Sequence, residues 1–429
     1  MSILVIDVGT SGLRAAVVRP DATVAVEEHR PFLPETPEPG LVQFDASALA
    51  SLALEVAGRV LAEAGPVDAV GITNQRASTI VWDRATGEPV GPGIGWQDLR
   101  TVGTCLVLQA DGLRLAPNAS ATKAQWLLDT FDPDRSRDLC VGTVDSWLAW
   151  QLSEGALHVI DATNAGVTGL LRGDSSGWDD RILDALRIPA ESLPTIVDTS
   201  GAIGRATALP GAPTIAALVG DQQSSLVGQG CVARGDAKIT FGTGGMLDLH
   251  LGSERPTFDT QGKGGCFPIV ASRRNGELAW GVEAVMLAAG TNVEWLRDDL
   301  GIIATAAESH DVAAQCDHTD GVTYVPALLG LGAPRWDHGA RGALLGLTRG
   351  SGRPQIVRAV LEGVAQRGAD LVESAEADSG LTIPSLRIDG GMSDNPTFVQ
   401  ALADATQRPV EVSPLREATT LGAAFLAGL

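Results

Sequence analysis

Three segments of the chain end an apolar, strand-like run in a turn of small residues, which is typical of phosphate-binding loops. The segments cover residues 2–12, 237–245 and 386–395. Glycines allow backbone N–H groups to close on an anion, and neighbouring hydroxyls donate further hydrogen bonds. Asp7 lies in the first segment and is an acid suited to a hard cation. In chain order, the segments predict a loop for the outer phosphates of ATP, a second loop facing it and a late loop for the nucleoside.

Lysine usage excludes the commonest ATP loop. A P-loop requires Lys followed by Ser or Thr after a glycine turn, whereas Lys123, Lys238 and Lys263 precede Ala, Ile and Gly. The motifs of protein kinases, a glycine-rich loop with a strand lysine and a catalytic-loop aspartate, are also missing from the sequence. An ATP clamp in this chain must therefore belong to another class.

The elements that must position these turns alternate between short apolar strands and amphipathic helices. Asp45 is expected to cap a helix in which apolar residues recur at helical spacing as far as Val60. A second helix is expected around 123–128, and strands are expected at 69–73 and 214–219. This alternation predicts an α/β fold, whose ligands bind at the carboxyl ends of strands.

Length and composition describe a well-packed globular protein of two domains. The chain has 429 residues, of which 44% are hydrophobic. The opening strand-and-turn pattern restarts in the second half, so we predict an N-terminal domain over 1–229 and a C-terminal domain over 230–429. The halves are expected to enclose a cleft.

Charge and cysteine usage exclude several classes of partner. A formal net charge of −21 opposes binding to nucleic acid or anionic lipid, because both rely on basic patches. The five cysteines are widely spaced and include no Cys-x-x-Cys, so neither a disulfide framework nor a zinc site is expected. A strand starts by residue 3, which leaves no room for a signal peptide, and no apolar run is long enough to span a bilayer. We therefore expect a cytoplasmic protein.

Further motifs along the chain resemble the FGGY carbohydrate kinases, in family order and over nearly the whole length. The resemblance is strongest to the glycerol kinases of that family. It rests on TNQR at 73–76, GWQD at 95–98, GTVDSW at 142–147, GDQQ at 220–223, FGTG at 241–244, GLGAPRWD at 330–337 with ARGALLGLTRG at 340–350, DGG at 389–391 and LGAA at 421–424. The block from 330 to 350 is long and specific, whereas actin-like ATPases share the opening turn.

The resemblance implies a two-domain actin-like ATPase fold of the ribonuclease H-like type, with Mg-ATP and a small polyol or sugar meeting in an interdomain cleft. Phosphoryl transfer needs positioning, charge neutralisation and a base that takes the proton of the attacking hydroxyl. Asp221 matches the family's base. Its alternative role is a plain cap of the helix that begins at residue 222.

The resemblance also assigns the nucleotide side of the site. Asp7 matches the family's magnesium-linked acid, although by itself it could be a turn-forming residue. The remaining ATP-binding positions that match the family are Gly9, Thr10, Ser11, Arg14, Thr243, Gly244, Gly391 and Asn395. Arg14 can supply positive charge as a bidentate fork in place of a lysine. The glycines could otherwise be plain tight turns.

The substrate side is matched by Gln75, Arg76, Trp96 and Gln222, together with the base. Taken singly, an Arg is usually a surface cation and a Trp often belongs to the core. Segments 143–147 and 161–164 also match the family, and we interpret them as framework because they carry no assignable chemistry.

Three positions depart from the glycerol kinases of the family. Ala77 replaces a carboxylate that accepts hydrogen bonds from glycerol, Asn118 replaces a tyrosine and Met246 replaces an aromatic residue. A site that hydrogen-bonds a hydroxyl discriminates strongly through that partner. The sequence therefore predicts an ATP-dependent kinase for a polyol or sugar larger than glycerol. A true glycerol kinase, a catalytically weakened binding protein and an actin-like ATPase acting on a macromolecule are the alternatives, and assembly into a homo-oligomer is left open.

Overall fold

The chain divides into two units, and its two largest β-sheets are mixed sheets of six strands each. The structure, a computed structural model, describes residues 1–414 and 417–429. The first unit comprises residues 1–228, 270–278 and 419–429, and the second comprises 229–269 and 279–418. The predicted α/β class is confirmed.

The strands of the described residues are, in chain order, β1 (Ile3–Val8), β2 (Gly12–Val18), β3 (Val24–Pro31), β4 (Gln43–Phe44), β5 (Ala69–Asn74), β6 (Thr79–Asp83), β7 (Gly93–Ile94), β8 (Leu139–Thr143), β9 (Val159–Asp161), β10 (Thr195–Val197), β11 (Ser200–Arg205), β12 (Thr214–Gly220), β13 (Ala237–Phe241), β14 (Gly245–Gly252), β15 (Phe267–Arg274), β16 (Glu277–Met286), β17 (Thr323–Val325), β18 (Ala343–Leu345), β19 (Leu386–Asp389) and β20 (Val410–Val412). The α-helices are α1 (Ala46–Ala64), α2 (Val102–Ala110), α3 (Ala121–Phe131), α4 (Val144–Leu152), α5 (Ala162–Gly166), α6 (Asp180–Leu186), α7 (Asp221–Gly228), α8 (Thr291–Asp298), α9 (Glu308–Ala313), α10 (Arg353–Ser379), α11 (Pro396–Thr406) and α12 (Ala418–Gly428).

Both large sheets are built on the same plan. The first has the order β11-β12-β5-β1-β2-β3 and the second β15-β16-β14-β13-β19-β20. Five strands of each sheet correspond: three pair antiparallel (β1, β2 and β3; β13, β14 and β16) and two more add in parallel (β5 and β12; β19 and β20). The sixth strand is β11, antiparallel to β12, in the first sheet and β15, next to β16, in the second. The restart of the opening pattern in the sequence therefore corresponds to a repeated strand order.

The first sheet is covered by apolar layers on both faces, as expected for a sheet with parallel strands. Alternate residues of β1 point to opposite faces: Leu4 and Ile6 join a cluster that includes α1, whereas Ile3 and Val5 join one that includes α12. The carboxyl ends of β1, β5 and β12 are thereby held in a rigid frame.

The predicted local elements of the first unit are confirmed. Helix α1 begins after Asp45, whose side chain accepts a hydrogen bond from the Ala48 N–H at 3.0 Å. The predicted strands correspond to β5 and β12, and the helix expected around 123–128 is α3. Across 1–414 and 417–429, no helix is long and apolar enough to cross a membrane.

Candidate functional site

The carboxyl ends of β1, β5 and β12 lie side by side in the first unit. The pairing registers set Asp7 opposite Thr73, and Thr73 opposite Val219. The residues that follow each strand therefore emerge at one edge, and the Gln75 N–H donates to the Val8 carbonyl at 2.7 Å. This register brings three predicted site segments together, although they are far apart in the sequence.

Arg76 and Asp221 form the charged part of this edge. The Arg76 Nε lies 3.6 Å from the Asp221 Oδ1, and Arg76 Nη1 donates to the buried Gln223 at 3.4 Å. A Cβ at Gly220 would lie 2.7 Å from the Arg76 side chain, so only glycine lets the arginine cross the strand end here. The arginine is thus held against the predicted base.

Asp221 lies at the start of a helix, which is the capping position that the sequence offered as its alternative role. It is the first residue of α7, and its carboxylate accepts a hydrogen bond from the Gln222 N–H at 2.8 Å. Its side chain nevertheless remains partly exposed. The capping contact fixes the carboxylate at the helix start, where it can still meet a substrate hydroxyl.

Asp7 lies in an electrostatically unusual position. Burial, and then the nearby Asp221 carboxylate, raise the pKa of Asp7 to about 7, against the lowering effect of Arg14 on the neighbouring strand. A cation at this edge would stabilise the charged form of Asp7 and offset the repulsion from Asp221. Among the described residues, Asp7 and its neighbours included, no cluster of three or more His, Cys, Asp or Glu side chains could hold a metal ion, so a magnesium ion at Asp7 stays a prediction.

The turn between β1 and β2 is the predicted outer-phosphate loop. It is closed by a hydrogen bond from the Gly9 N–H to the Gly12 carbonyl at 2.9 Å. Trp96 Nε1 donates to the Thr10 hydroxyl at 3.1 Å, which ties the predicted substrate-side tryptophan to the predicted phosphate loop. Arg14 lies 3.6 Å from Glu27 on β3.

Ser78 connects two of the predicted substrate residues. Its hydroxyl donates to the Gln75 Oε1 at 3.2 Å and accepts from the Trp96 N–H at 3.1 Å. Trp96 lies in a segment that the buried Asp98 closes by accepting from the Val42 N–H at 2.6 Å. The predicted substrate residues of two chain segments are therefore joined through the Ser78 hydroxyl, which the sequence did not single out.

Lys123 and Ser120 join a third segment to the same wall. The fully buried Lys123 amine donates to the carbonyls of Asn118 at 2.9 Å and Trp96 at 3.2 Å, and the Ser120 hydroxyl donates to the Ala77 carbonyl at 3.2 Å. Burial lowers the pKa of Lys123 to about 7. Two of the three positions that depart from the glycerol kinase pattern, Ala77 and Asn118, are thus held by one small group of contacts.

In the second unit, the turn after β13 carries Thr243 and Gly244. The N–H of Ala289 and the hydroxyl of Thr291 both donate to the Thr243 carbonyl, at 2.8 and 3.0 Å. The start of α8 is thereby held against the turn. Gly290 belongs to the same contact, because its N–H donates to the Gly242 carbonyl at 2.9 Å and a Cβ there would lie 2.6 Å from that oxygen. This supporting segment carries no motif from which its contact with the turn could be predicted.

The late turn lies beside that loop in the second sheet. Pairing of Thr240 with Asp389 aligns the ends of β13 and β19. Gly390, with φ of 86°, has no room for a Cβ, which would lie 2.4 Å from the Phe241 carbonyl oxygen. Asn395 caps α11 by accepting from the Phe398 N–H at 3.1 Å and donates to Ser309 at 2.9 Å. The second unit therefore places the turns of Thr243 and Gly391 next to each other.

Two family models together cover nearly the whole chain. The family model described as "FGGY family of carbohydrate kinases, N-terminal domain" matches residues 2–228, and the corresponding C-terminal domain model matches residues 237–429. A glycerol kinase of Shewanella piezotolerans is 39% identical over 448 residues, covering 100% of this chain and 90% of that protein. A glycerol kinase of Alkalilimnicola ehrlichii is 42% identical over 447 residues, covering 99% of this chain and 89% of that protein.

Solved structures give the same picture of the fold. The glycerol kinase of Plasmodium falciparum with ADP has a TM-score of 0.93 and 29% identity, covering 100% of this chain and 89% of that one. A ligand-bound xylulose kinase from Lactobacillus acidophilus has a TM-score of 0.88 at 20% identity, covering 99% and 88% of the two chains. The second likeness, at this identity, shows the fold alone.

Proposed function

Because the chain belongs to the FGGY family of carbohydrate kinases, as its motifs predicted, we propose that Asp221 is the base with which it transfers the γ-phosphate of ATP to a hydroxyl of a small polyol or sugar. The protein is an ATP-dependent phosphotransferase with an alcohol acceptor, and it has the actin-like fold of its relatives. The observation that supports the role of Asp221 is the shared register of β1, β5 and β12, which places Asp7, Arg76 and Asp221 at one edge.

The proposed division of work follows from the contacts at that edge. Asp221 accepts the proton of the attacking hydroxyl, and the helix start that fixes its carboxylate keeps it within hydrogen-bond reach. Arg76 lies against Asp221 and can donate to further acceptor hydroxyls. Gln75, Trp96 and Gln222 complete the acceptor side, joined in part through Ser78.

The nucleotide contacts are proposed for both units. In the first, the turn with Gly9, Thr10 and Ser11 receives the outer phosphates together with Arg14. In the second, the contacts are those of Thr243, Gly244, Gly391 and Asn395. Mg²⁺ accompanying ATP would neutralise charge that develops on the transferred phosphoryl group, and Asp7 is the carboxylate proposed to orient it.

The acceptor is proposed to be larger than glycerol. Ala77 is 6% exposed, and its carbonyl accepts a hydrogen bond from Ser120, so the backbone at this position is well packed and hydrogen-bonded. It lacks the carboxylate that would accept from a glycerol hydroxyl. Glycerol itself is the second candidate, supported by full-length relatives that are named glycerol kinases. We further propose that the protein works in the cytoplasm.

An ATP-consumption assay with the full chain separates these candidates. The panel contains glycerol, four- to six-carbon polyols, ketoses and aldoses, and a reaction without acceptor. We expect acceptor-dependent turnover. Equal ATP consumption without any acceptor would instead indicate an actin-like ATPase, and ATP binding without turnover on any acceptor would indicate a binding protein.

The role of Asp221 is tested with Asp221→Asn, which keeps the shape of the side chain but cannot take up a proton. Loss of a positioned base lowers the rate by roughly 10² to 10⁴, whereas ATP affinity should be nearly unchanged. Asp134→Asn serves as the control, because Asp134 is an exposed acid of the same unit. Near-normal turnover of Asp221→Asn on the best acceptor would remove this residue from the reaction.

A further inference from the structure

A fully buried carboxylate, Asp161, is the most heavily hydrogen-bonded side chain near the edge described above. It accepts from the backbone N–H and the hydroxyl of Thr163, both at 2.9 Å, and from the backbone N–H and side-chain amide of Asn164, both at 2.9 Å. It also accepts from the Thr199 hydroxyl at 2.8 Å. Hydrogen bonds from this many donors fix the orientation of the Asp161 carboxyl group.

One arm of this network reaches the strand that carries the base. The Thr163 hydroxyl donates its proton to Asp161 and accepts from the Gly220 N–H at 2.9 Å. Gly220 ends β12 and directly precedes Asp221. The position of the Asp221 backbone therefore depends on a hydroxyl that Asp161 orients.

A second arm reaches the strand that carries the acceptor residues. The side-chain amides of Asn164 and Asn74 donate to each other at 3.1 Å in both directions, and the Asn74 amide also donates to the Gln75 carbonyl at 2.9 Å. Because Asp161 accepts from the Asn164 amide, it fixes which way that amide faces. Both arms are completely shielded from solvent.

Asp145 is a second fully buried acid in contact with the Asp161 backbone. Its carboxylate oxygen accepts from the Asp161 N–H at 3.2 Å, and it contacts the Thr143 hydroxyl. Burial, and then the Asp161 carboxylate, raise the pKa of Asp145 to about 7. Burial raises the pKa of Asp161 as well, so burial disfavours the charged form of both acids in this pair.

We propose that Asp161 is a positioning residue that, through Thr163 and Asn164, sets the separation between the strand end carrying Asp221 and the strand end carrying Gln75. This inference rests on the proposed role of Asp221 as the base. It gives a function to the 161–164 segment, which the sequence analysis had interpreted only as framework. Misplacing a reacting group by about 1 Å can lower a rate by roughly 10²-fold, so small shifts of these strand ends should be measurable.

The chain offers a matched pair of variants. Thr163 and Thr199 are both fully buried, and the hydroxyl of each donates to Asp161. Each hydroxyl also accepts from one backbone N–H: Thr163 from Gly220 at 2.9 Å, and Thr199 from Arg273 at 3.0 Å. Thr163→Val and Thr199→Val therefore remove the same kinds of contact. Only the first removes a contact to the strand end that carries the base.

The expected result is a separation of kcat from stability. Both variants should lower the thermal unfolding midpoint by a similar amount. Thr163→Val should lower kcat on the best acceptor by about 10- to 100-fold with the KM for ATP unchanged, whereas Thr199→Val should stay within about threefold of the wild type. Thr163→Ser, which keeps the hydroxyl, should recover most of the activity.

Equal loss of kcat in both valine variants, or no loss in Thr163→Val, would overturn the proposal and leave Asp161 a structural residue. If Thr163→Val does not fold, Asn74→Ala interrupts the other arm without altering Asp161, and an unchanged kcat in that variant would overturn the proposal equally. Failure of the base assignment is distinguishable, because it would appear as near-normal turnover of Asp221→Asn whatever the threonine variants do.

Discussion

Restoring a carboxylate at position 77 tests whether its absence sets the acceptor preference. We expect Ala77→Glu, combined with Asn118→Tyr, to shift the preference of the enzyme toward glycerol. The structure favours this design because the Ala77 carbonyl accepts from Ser120, and Asn118 is anchored through Lys123. Ala77 has φ of 61°, and since alanine already bears the cost of a Cβ in this left-handed conformation, glutamate adds little further strain.

The magnitude follows from one restored hydrogen bond to a charged acceptor. Such a bond contributes roughly 1.5 to 3 kcal/mol, which corresponds to about a tenfold to hundredfold change in specificity. The measured quantity is the ratio of kcat/KM for glycerol to kcat/KM for the best acceptor of four or more carbons. We expect this ratio to rise by that factor in the double variant.

Ala77→Gln with Asn118→Tyr is the matched control, because glutamine has the size of glutamate without its charge. It should recover much less glycerol preference. The reasoning is refuted if the unmodified protein prefers glycerol to every longer acceptor in the panel. In that case the enzyme is a glycerol kinase that recognises its substrate without the carboxylate.

Three further outcomes are expected. Gly422→Ala should destabilise the first unit by about 1 to 3 kcal/mol, because its Cβ would lie 1.9 Å from the Ser224 carbonyl oxygen. Gly58→Ala in α1 has nothing within 4 Å of the added Cβ, so it should stabilise the protein by about 0.5 to 1 kcal/mol. Urea unfolding checks this pair, because the two variants should shift the unfolding midpoint in opposite directions. Burial lowers the pKa of Lys123 from 10.5 to about 7, so between these pH values the folded state binds fewer protons than the unfolded state. The stability of the wild type relative to Lys123→Met should therefore rise with pH, by up to about 1.4 kcal/mol per pH unit. A stability difference that does not change with pH in urea titrations would contradict the lowered pKa. Arg76→Lys should lower kcat/KM for the acceptor by about tenfold or more and leave the KM for ATP unchanged, because an ammonium lacks the paired, planar donors of the guanidinium. Steady-state kinetics measure both constants, and an unaltered kcat/KM for the acceptor would argue against contact of Arg76 with the substrate.

Local features of the chain were readable from the sequence. The strands β5 and β12 follow from apolar runs, and helix α1 follows from apolar periodicity and from its cap, in which Asp45 contacts a residue three positions later. All of these signals lie between residues that are close together in the sequence. The small-residue turns at Gly9 and Gly390 could be identified for the same reason. The family also followed from short motifs in order.

The residues that connect these motifs were decided by the tertiary structure. Ser78, Lys123 and Thr163 join segments through one hydroxyl or amine each, and their sequence neighbourhood does not show which distant groups they contact. The amide pair of Asn74 and Asn164 spans 90 positions of sequence. Such contacts depend on strand register and on which buried polar groups must find partners, so they are determined only when distant segments pack together.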